Sequence, residues 1–250
     1  MTSKSKRVFI TGGSGELGRS MATLLAESGY DITLTYFSNH DGAEKTAESV
    51  RATGRTCEII RTHLGKERSI SSLFDTLNDA AAFDVFIHNA ASGVLKPLKE
   101  LTMRHWDWTH QINCRSFFEV SQWLLQHEKL NRPGRIIALS SLGALRAIPQ
   151  YAVVGSSKAA LESVIRQLAM ELGPDGITAN VVSPGIIDTW SLRQFPHGRE
   201  LLDLAKMRTP TGRLTEVSDV ANMVKFLCSP ESSMITGQTM TIDGGYSIQA

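Results

Sequence analysis

The feature that most constrains the fold of this chain is a regular alternation of short β-branched, apolar runs with longer helical patterns. The apolar runs predict strands near Arg7–Thr11, Ile32–Tyr36, Glu58–Thr62, Asp84–Asn89, Arg135–Ser140, Thr178–Ser183 and Thr239–Ile242. The helical patterns lie near Glu16–Ser28, Gly42–Thr53, Glu67–Asp79, Met103–Lys129, Ala152–Leu172 and Val217–Cys228. Because alternation of this kind favours a parallel sheet covered by helices on both faces, we expect a doubly wound α/β fold with a seven-stranded, mostly parallel sheet.

The length and composition suit one domain covering residues 1–250. The chain has 250 residues, of which 42% are hydrophobic, and no repeat or linker divides it. The alternation fails only between Ile186 and Glu216, where prolines and glycines interrupt short helical patches. An insertion after a strand lies at the carboxyl edge of such a sheet, where ligands bind. We therefore expect a substrate lid at about 186–216 with Trp190, Leu192 and Phe195 as apolar contacts; an ordinary packed loop is the alternative.

Charge and cysteine content exclude several classes of function. The formal net charge is +1, from 26 basic and 25 acidic residues, which gives no reason to expect nucleic acid or a membrane surface as partner. The three cysteines, Cys57, Cys114 and Cys228, are widely spaced and suggest neither a metal site nor disulfides. No apolar run has the length of a signal peptide core or a membrane span, so we expect a soluble, cytoplasmic protein.

A glycine-rich turn follows the first strand. The segment TGGSGELGRS, Thr11–Ser20, places glycines at 12, 15 and 18 directly before a helix. Glycines allow a tight turn and a close approach of the backbone to a pyrophosphate, which the helix N-terminus attracts. In this position the motif predicts a Rossmann-type dinucleotide site. Its candidate cofactor-binding residues are Gly12, Ser14, Gly15, Glu16, Leu17 and Gly18.

The end of the second strand bears on the choice of dinucleotide. An acid there would bind the ribose 2′-hydroxyl of NAD, but the segment TYFSNH has none before Asp41. A 2′-phosphate would meet no charge repulsion, and Ser38, Asn39 and His40 could donate hydrogen bonds to it. With Phe37 beside them as a further cofactor contact, we expect NADPH rather than NADH, although this segment contains no arginine.

The stretch Leu139–Ser163 carries the candidate chemistry. Tyr151 and Lys158 lie seven residues apart at the start of a long predicted helix. Taken singly, Tyr151 could only cover the start of its helix, and Lys158 could be a solvated lysine. The surrounding motifs decide between these alternatives.

Several motifs together resemble the short-chain dehydrogenase/reductase family. They are the glycine turn, His88–Ala91, Asn113, Ser140 with Ser141, Pro184–Thr189 and Ile242–Gly245, and the resemblance runs from about Arg7 to Tyr246. It implies further cofactor contacts at His63, Leu64, Asn89, Ala90, Ala91, Lys158, Ile187 and Thr189. His63-Leu64 stands where the family usually has Asp-Val, and His88 replaces a common Asn. These departures concern the adenine end of the site.

The spacing of the Tyr/Lys pair narrows the resemblance. Carbonyl reductases of the family usually carry tyrosine four residues before the lysine, and that position here is Val154. The seven-residue spacing is similar to that of the enoyl-acyl-carrier-protein reductases, and segments such as NAASGVLKPLKEL most resemble the type III, NADPH-dependent group. The resemblance implies reduction of the C=C bond of trans-2-enoyl thioesters in fatty-acid synthesis, with Tyr151 and Lys158 as catalytic residues.

A physical reason supports this assignment. In an enoyl thioester the hydride goes to Cβ while charge develops on the thioester oxygen, farther along the acyl chain. Moving the tyrosine from four to seven residues before the lysine shifts its backbone about 5 Å along the helix on nearly the same face. Ser141, the third catalytic candidate, either donates to substrate or only caps backbone groups. Ser92 and Leu95 are candidate substrate contacts beside Trp190 and Phe195.

Alternatives and partners remain as expectations. A 3-oxoacyl thioester ketoreductase, an ene-reductase of a secondary-metabolite pathway, and a catalytically inactive nucleotide sensor are the competing functions. Basic residues in or beside the lid could meet an acidic acyl carrier protein, or form a solvated face: Arg193, Arg199, Lys206, Arg208 and Arg213. The resemblance implies a homotetramer formed through the helices near 103–129 and 152–172. Trp106 and Trp108 are expected at a subunit contact rather than at substrate.

Overall fold

The predicted doubly wound sheet is confirmed in a computed structural model, which describes residues 5–189 and 198–249. Seven strands lie in the order β3-β2-β1-β4-β5-β6-β7, and all six pairings are parallel. The strands are β1 (Lys6–Thr11), β2 (Tyr30–Tyr36), β3 (Cys57–Arg61), β4 (Phe83–His88), β5 (Leu130–Leu139), β6 (Ile177–Pro184) and β7 (Thr239–Ile242). The chain order reverses between β1 and β4, and a doubly wound sheet binds ligands at that point of its carboxyl edge.

Eight α-helices are present in the described part of the chain. They are α1 (Glu16–Glu27), α2 (His40–Ala52), α3 (Glu67–Asn78), α4 (Met103–His110), α5 (Ser116–Gln126), α6 (Ala152–Leu172), α7 (Gly198–Arg208) and α8 (Val217–Cys228). A π-helical turn, Gln111–Arg115, joins α4 to α5, so the single helix predicted near Met103–Lys129 is divided. Periodicity did not predict this division, because helical patterns lie on both sides of the turn and were read as one helix.

The two faces of the sheet carry separate apolar layers. Val8 and Ile10 of β1 point into a layer formed with α1, α2 and α8. Phe9 between them points to the other face, where it stacks on Phe86 at 5.5 Å and meets α3, α5 and α6. This alternation along one strand is what a period of two residues requires. Burial on both faces fixes the sheet register, and therefore the positions of the turns at the carboxyl edge.

Two sequence expectations differ in detail from the structure. β5 begins at Leu130 rather than near Arg135, because exposed Arg132 and Pro133 hide the strand pattern while Leu130 already pairs with Phe83. The predicted lid contains α7, and its two ends meet where Ile187 pairs with Thr215. Trp190, Leu192, Arg193 and Phe195 lie outside the described residues. Within the described ranges, no helix is long and apolar enough to cross a membrane.

Candidate active site

The glycine turn leaves the N-terminus of α1 uncapped and open. Gly15 is the N-cap residue, and among the described residues no side chain caps the first N–H groups of the helix. A Cβ at Gly15 would meet nothing within 4 Å, whereas one at Gly12 would come within 2.7 Å of the Ala90 backbone and one at Gly18 within 2.5 Å of the Gly12 carbonyl. Gly12 and Gly18 therefore allow close packing, and Gly15 opens the space at the free N–H groups. These features fit a dinucleotide pyrophosphate.

A hydrogen-bond network ties this turn to the end of β4. The backbone N–H groups of Asn89 and Ala90 both donate to Oγ1 of Thr11 at 3.2 Å, and the Asn89 amide donates to the Gly12 carbonyl at 2.7 Å. The Thr11 hydroxyl in turn contacts Nδ1 of the buried His88 at 3.0 Å. Burial lowers the pKa of His88 to about 3, with Lys158 adding to the effect, so this histidine is neutral. Asn89 and Ala90 thus hold the turn, and Ala91 is exposed beside them.

Aromatic rings line the side of the site where the adenine end of a dinucleotide is expected. Phe37 contacts His63 with ring centroids 4.1 Å apart, and His63 contacts Trp108 at 5.1 Å. Leu64 is buried beside them, and Nδ1 of His63 accepts from the Gly65 backbone at 3.1 Å. His63 and Leu64 follow β3 at the carboxyl edge of the sheet, and the cofactor contacts that the family resemblance implies for them stay predictions. The contribution of Trp108 was not predicted, since α4 is distant in sequence from both other rings.

Asn39 has a different role from the one suggested for it. Its Oδ1 accepts the Gly42 N–H at 3.0 Å as the N-cap of α2, and its Nδ2 donates to the Ser14 carbonyl at 3.2 Å. The side chain thereby joins α2 to the glycine turn, and it already donates to a protein group. Ser38 remains exposed on the same turn.

The hydroxyl of Tyr151 donates to Oγ of Ser141 at 3.1 Å. Tyr151 is the N-cap residue of α6, and Ser141 follows β5, where its Oγ also accepts the Gly143 N–H at 3.3 Å. Burial raises the pKa of Tyr151, and the hydrogen bond to Ser141 opposes that rise only in part. The phenol therefore keeps its proton near neutral pH and is suited to donate a hydrogen bond.

Lys158 lies farther along α6, almost fully buried at 4% exposure. Its Nζ donates to the carbonyl of Leu139 at 2.7 Å. Burial lowers the pKa of Lys158 to about 8, and nearby Cys114 and Glu162 oppose the change. Burial of the phenol, rather than the charge of Lys158, dominates the pKa of Tyr151.

The two serines after β5 point to different partners. The Ser140 hydroxyl donates to Oε1 of buried Glu162 at 2.5 Å, and the other carboxylate oxygen accepts from Thr239 at 3.4 Å. Ser140 thus ties β5 to α6 and β7, whereas Ser141 meets the tyrosine. Of the pair, only Ser141 is placed for chemistry.

Asn113 is a functional residue that the sequence identified only as part of a motif, without a place in the site. It is fully buried in the π-helical turn. Its Oδ1 accepts the Ser92 N–H at 2.7 Å, and its Nδ2 donates to the Ser92 carbonyl and to Ser157 Oγ, each at 2.9 Å. The wider π turn rotates this side chain inward, a use of π turns that is frequent at functional sites.

Ser92 is consequently held on both sides. Its Oγ accepts from the Trp108 indole at 2.9 Å, so Trp108 contacts the segment that carries the candidate substrate residues. The subunit contact expected for Trp108 stays a prediction. Val154, at 9% exposure, points at Gly93, where a methyl group added to the glycine would overlap the valine Cγ2. Leu95 is half-buried in the same segment. The position four residues before Lys158 is thus filled by an apolar contact.

A cavity of about 900 Å³ opens beside the glycine turn between α1, α7 and α8. Its described lining includes the cofactor candidates Glu16 and Ile187, together with Arg19 and Lys206. Thr189, two residues after Ile187, is half-buried. This groove adjoins the turn and is separate from the Tyr151–Ser141 pair among the residues described.

An uncapped helix N-terminus after β1 and a Tyr/Lys pair after β5 lie at the same carboxyl edge of a parallel sheet. Together they define an oxidoreductase of the doubly wound, dinucleotide-binding class.

Comparison with known proteins specifies the class. A family model described as enoyl-(acyl carrier protein) reductase matches residues 14–247. The chain is 36% identical over 249 residues to 1-cyclohexenylcarbonyl-CoA reductase of Streptomyces collinus, covering 97% of this chain and 87% of that protein. It is 35% identical over 246 residues to short-chain dehydrogenase/reductase eriH of Hericium erinaceus, covering 95% and 96%. A short chain dehydrogenase from Burkholderia cenocepacia J2315, solved in complex with NADP, has a TM-score of 0.88 at 31% identity, covering 97% and 98%. The chain belongs to the short-chain dehydrogenase/reductase family.

Proposed function

We propose that this chain is an NADPH-dependent enoyl thioester reductase that saturates the C=C bond of trans-2-enoyl substrates. The observation that carries the proposal is the position of the phenol relative to Lys158 along α6. Val154 occupies the position four residues before Lys158 and packs on Gly93, while the phenol lies at Tyr151 against Ser141. A proton donor is therefore displaced by about one helical turn from the place where a carbonyl reductase has it.

The proposed chemistry assigns separate tasks to the two residues. When bound, NADPH supplies a hydride from nicotinamide C4 to Cβ of the enoyl group. Tyr151 donates a hydrogen bond to the thioester oxygen, which gains negative charge as the enolate forms, and this stabilisation is larger in the transition state than in the ground state. Lys158 donates to the nicotinamide ribose hydroxyls from its buried position. Cα is then protonated by Tyr151 or by water.

The name of one relative supports C=C reduction. 1-Cyclohexenylcarbonyl-CoA is itself an α,β-unsaturated thioester, with its double bond conjugated to the carbonyl. Reduction of the ring double bond would place charge on the thioester oxygen as it does for a linear enoyl chain. This relative also favours a second candidate, a coenzyme A ester ene-reductase of a secondary-metabolite pathway, over a fatty-acid synthesis enzyme.

The preference for NADPH has two supports. The turn after β2 has no acid before Asp41, so a 2′-phosphate there meets no carboxylate directly after the strand. A family member solved with NADP has nearly the same fold over 97% of this chain.

An acyl carrier protein is the proposed carrier for the fatty-acid alternative. Among the basic candidates near the lid, Arg213 forms a paired contact with Asp219 at 2.6 and 2.8 Å, and Arg208 lies over the Tyr246 ring. Arg199 and Lys206 on α7 are therefore the cations best placed to meet an acidic carrier. Charge reversal at both should raise KM for carrier-bound substrate and leave KM for the coenzyme A ester unchanged; an unchanged KM for both excludes the patch.

A homotetramer is likewise proposed. Exposed Met103, Trp106 and Phe118 on α4 and α5, and Met170 on α6, lie on the helices that the family resemblance assigns to subunit contacts. Light scattering of the purified protein distinguishes a tetramer from a monomer.

The direct test of function compares two substrates of equal length. Purified protein with NADPH is assayed on crotonyl-CoA and on acetoacetyl-CoA, each with the acyl-carrier-protein form as a parallel series. The proposal predicts oxidation of NADPH by the crotonyl thioester and little by the 3-oxo thioester. The reverse preference identifies a ketoreductase, and tight NADPH binding without turnover of either identifies a sensor. Activity on 1-cyclohexenylcarbonyl-CoA exceeding that on crotonyl thioesters favours the second candidate.

A further inference from the structure

Arg61 is brought to the end of β2 by strand pairing rather than by sequence. It is the last residue of β3 and pairs in register with Tyr36, the last residue of β2. Its Nε donates to the carbonyl of Phe37 at 3.2 Å, across 24 positions in the chain. The guanidinium therefore lies beside the β2–α2 turn, which the sequence alone left without an arginine.

The charge of Arg61 is not matched by any carboxylate in the described part of the chain. Acids on the neighbouring α2 and β3 have other partners: Glu44 lies 3.8 Å from Arg51 and 4.0 Å from His40, and Glu58 accepts from Thr33 at 3.4 Å. Nε is engaged by a neutral carbonyl, and within the described ranges the two terminal nitrogens of the fork form no hydrogen bond. An exposed, unpaired guanidinium fixed at one nitrogen is suited to receive a multivalent oxyanion such as a phosphate.

The dinucleotide presents such an anion at this place. In a doubly wound sheet the adenine ribose reaches the end of the second strand, and a 2′-phosphate there is recognised by a nearby cation. Asn39 already accepts from Gly42 and donates to Ser14, and it carries no positive charge to match a phosphate. We propose that Arg61 binds the 2′-phosphate of NADP(H), with exposed Ser38 beside it, and thereby sets the preference for the phosphorylated cofactor. The inference rests on the dinucleotide site of the proposed function.

The test uses nucleotide fragments, so it does not depend on any acyl substrate. Binding of 2′,5′-ADP and of 5′-AMP is measured by titration calorimetry on the full chain and on Arg61→Met, Arg61→Lys and Arg166→Met. Arg166 is exposed on α6 and controls for the loss of one positive charge.

Arg61→Met should lose at least about tenfold in affinity for 2′,5′-ADP and less than about twofold for 5′-AMP. Arg61→Lys should retain part of the difference, and Arg166→Met should match the wild type. Equal loss for both nucleotides would assign Arg61 a merely structural role and overturn the proposal. Unchanged 2′,5′-ADP binding in Arg61→Met, or no preference of the wild type for 2′,5′-ADP over 5′-AMP, would also overturn it. If the protein does not reduce enoyl thioesters, these nucleotide-binding measurements still test the role of Arg61.

Discussion

The hydroxyl of Tyr151 donates to Oγ of Ser141 across 3.1 Å, although the two residues lie ten positions apart in sequence, on either side of a loop with a 3₁₀ turn. Since burial raises the pKa of Tyr151, the proton stays on the phenol and the serine oxygen orients it. When a thioester oxygen arrives, the single phenol hydrogen turns from Ser141 to that oxygen, and the serine hydroxyl can then donate to the phenol oxygen. The contact with Ser141 holds the phenol in place, and a donor fixed in position is effective in a transition state.

Tyr151→Phe should lower kcat on crotonyl thioester by about 10²–10³, because it removes the donor to the developing enolate oxygen. Ser141→Ala should lower kcat by only about two- to tenfold, since it removes an orienting hydrogen bond and leaves the donor. Steady-state kinetics with saturating NADPH measures both. A loss in Ser141→Ala as large as that in Tyr151→Phe would show that the serine itself donates to substrate.

The contact between Gly93 and Val154 can be tested by a double-mutant cycle. Gly93→Ala places a methyl into Val154 Cγ2 and should lower the free energy of unfolding by about 1–3 kcal/mol, because valine in a helix has little rotamer freedom. Adding Val154→Ala should recover much of that loss, so the two changes are strongly non-additive. Urea denaturation provides the values. Additive effects would mean that Val154 does not face the substrate segment, Ser92–Leu95. The position of Val154 would then no longer support a displaced proton donor.

Lys158 makes stability depend on pH in a specific direction. Its pKa is about 8 in the folded chain and 10.5 ordinarily, a depression worth on the order of 3 kcal/mol. Below about pH 8, Lys158 is protonated in both the folded and the unfolded chain, and the full cost of burying its charge is present. Between pH 8 and 10.5 the unfolded chain binds more protons than the folded chain, so the free energy of unfolding rises with pH.

Lys158→Met should therefore be more stable than wild type at pH 7 by about 1–3 kcal/mol, and it should lose activity. The gain in stability is reduced because the Leu139 carbonyl loses its hydrogen-bond donor. The difference should shrink as pH rises from 8 to 10.5. Denaturation curves at several pH values measure it. If Lys158→Met were less stable than wild type at every pH, and the difference in stability did not shrink as pH rises, the burial of a charged ammonium would be contradicted.

Gln150 holds a left-handed backbone conformation immediately before Tyr151, with φ of 63°. Its carbonyl accepts the Lys96 N–H at 3.1 Å, which links the substrate segment to the start of α6. Gln150→Gly should be neutral or stabilising by up to about 1 kcal/mol with kcat retained, whereas Gln150→Val should cost about 1–3 kcal/mol and reduce kcat. Thermal unfolding and kinetics of the pair give the comparison. Equal behaviour of the two variants would show that the conformation does not position Tyr151.

The sheet could be predicted from the sequence because each strand carries its own local signal. Val8, Phe9 and Ile10 fill apolar layers on both faces of the sheet, so they form a continuous apolar run that is visible without any tertiary information. The glycine turn and the Tyr/Lys spacing are local in the same sense. The hydrogen bonds between Asn113 and Ser92 have no such local signal. They depend on a π-helical turn that is recognised from backbone geometry and not from the sequence.

Contacts between distant segments were the part that the sequence could not supply. Trp108 joins His63 and Ser92 from a helix on another part of the chain, and Arg61 reaches Phe37 through strand pairing. No arginine is therefore visible near the second strand in the sequence, although one lies there in space. The direction of the Tyr151 pKa shift could not be predicted either, because it depends on burial by neighbours that sequence order does not reveal.

Hydride transfer to Cβ can be tested directly by one isotope experiment. The protein is incubated with crotonyl-CoA or acetoacetyl-CoA and NADPH deuterated at nicotinamide C4 on either face, and the acyl products are analysed by mass spectrometry and NMR. We predict butyryl thioester carrying one deuterium at Cβ from the crotonyl substrate, and no labelled 3-hydroxybutyryl thioester. Deuterium on the carbinol carbon of 3-hydroxybutyryl thioester, with the crotonyl substrate recovered unlabelled, would contradict C=C reduction.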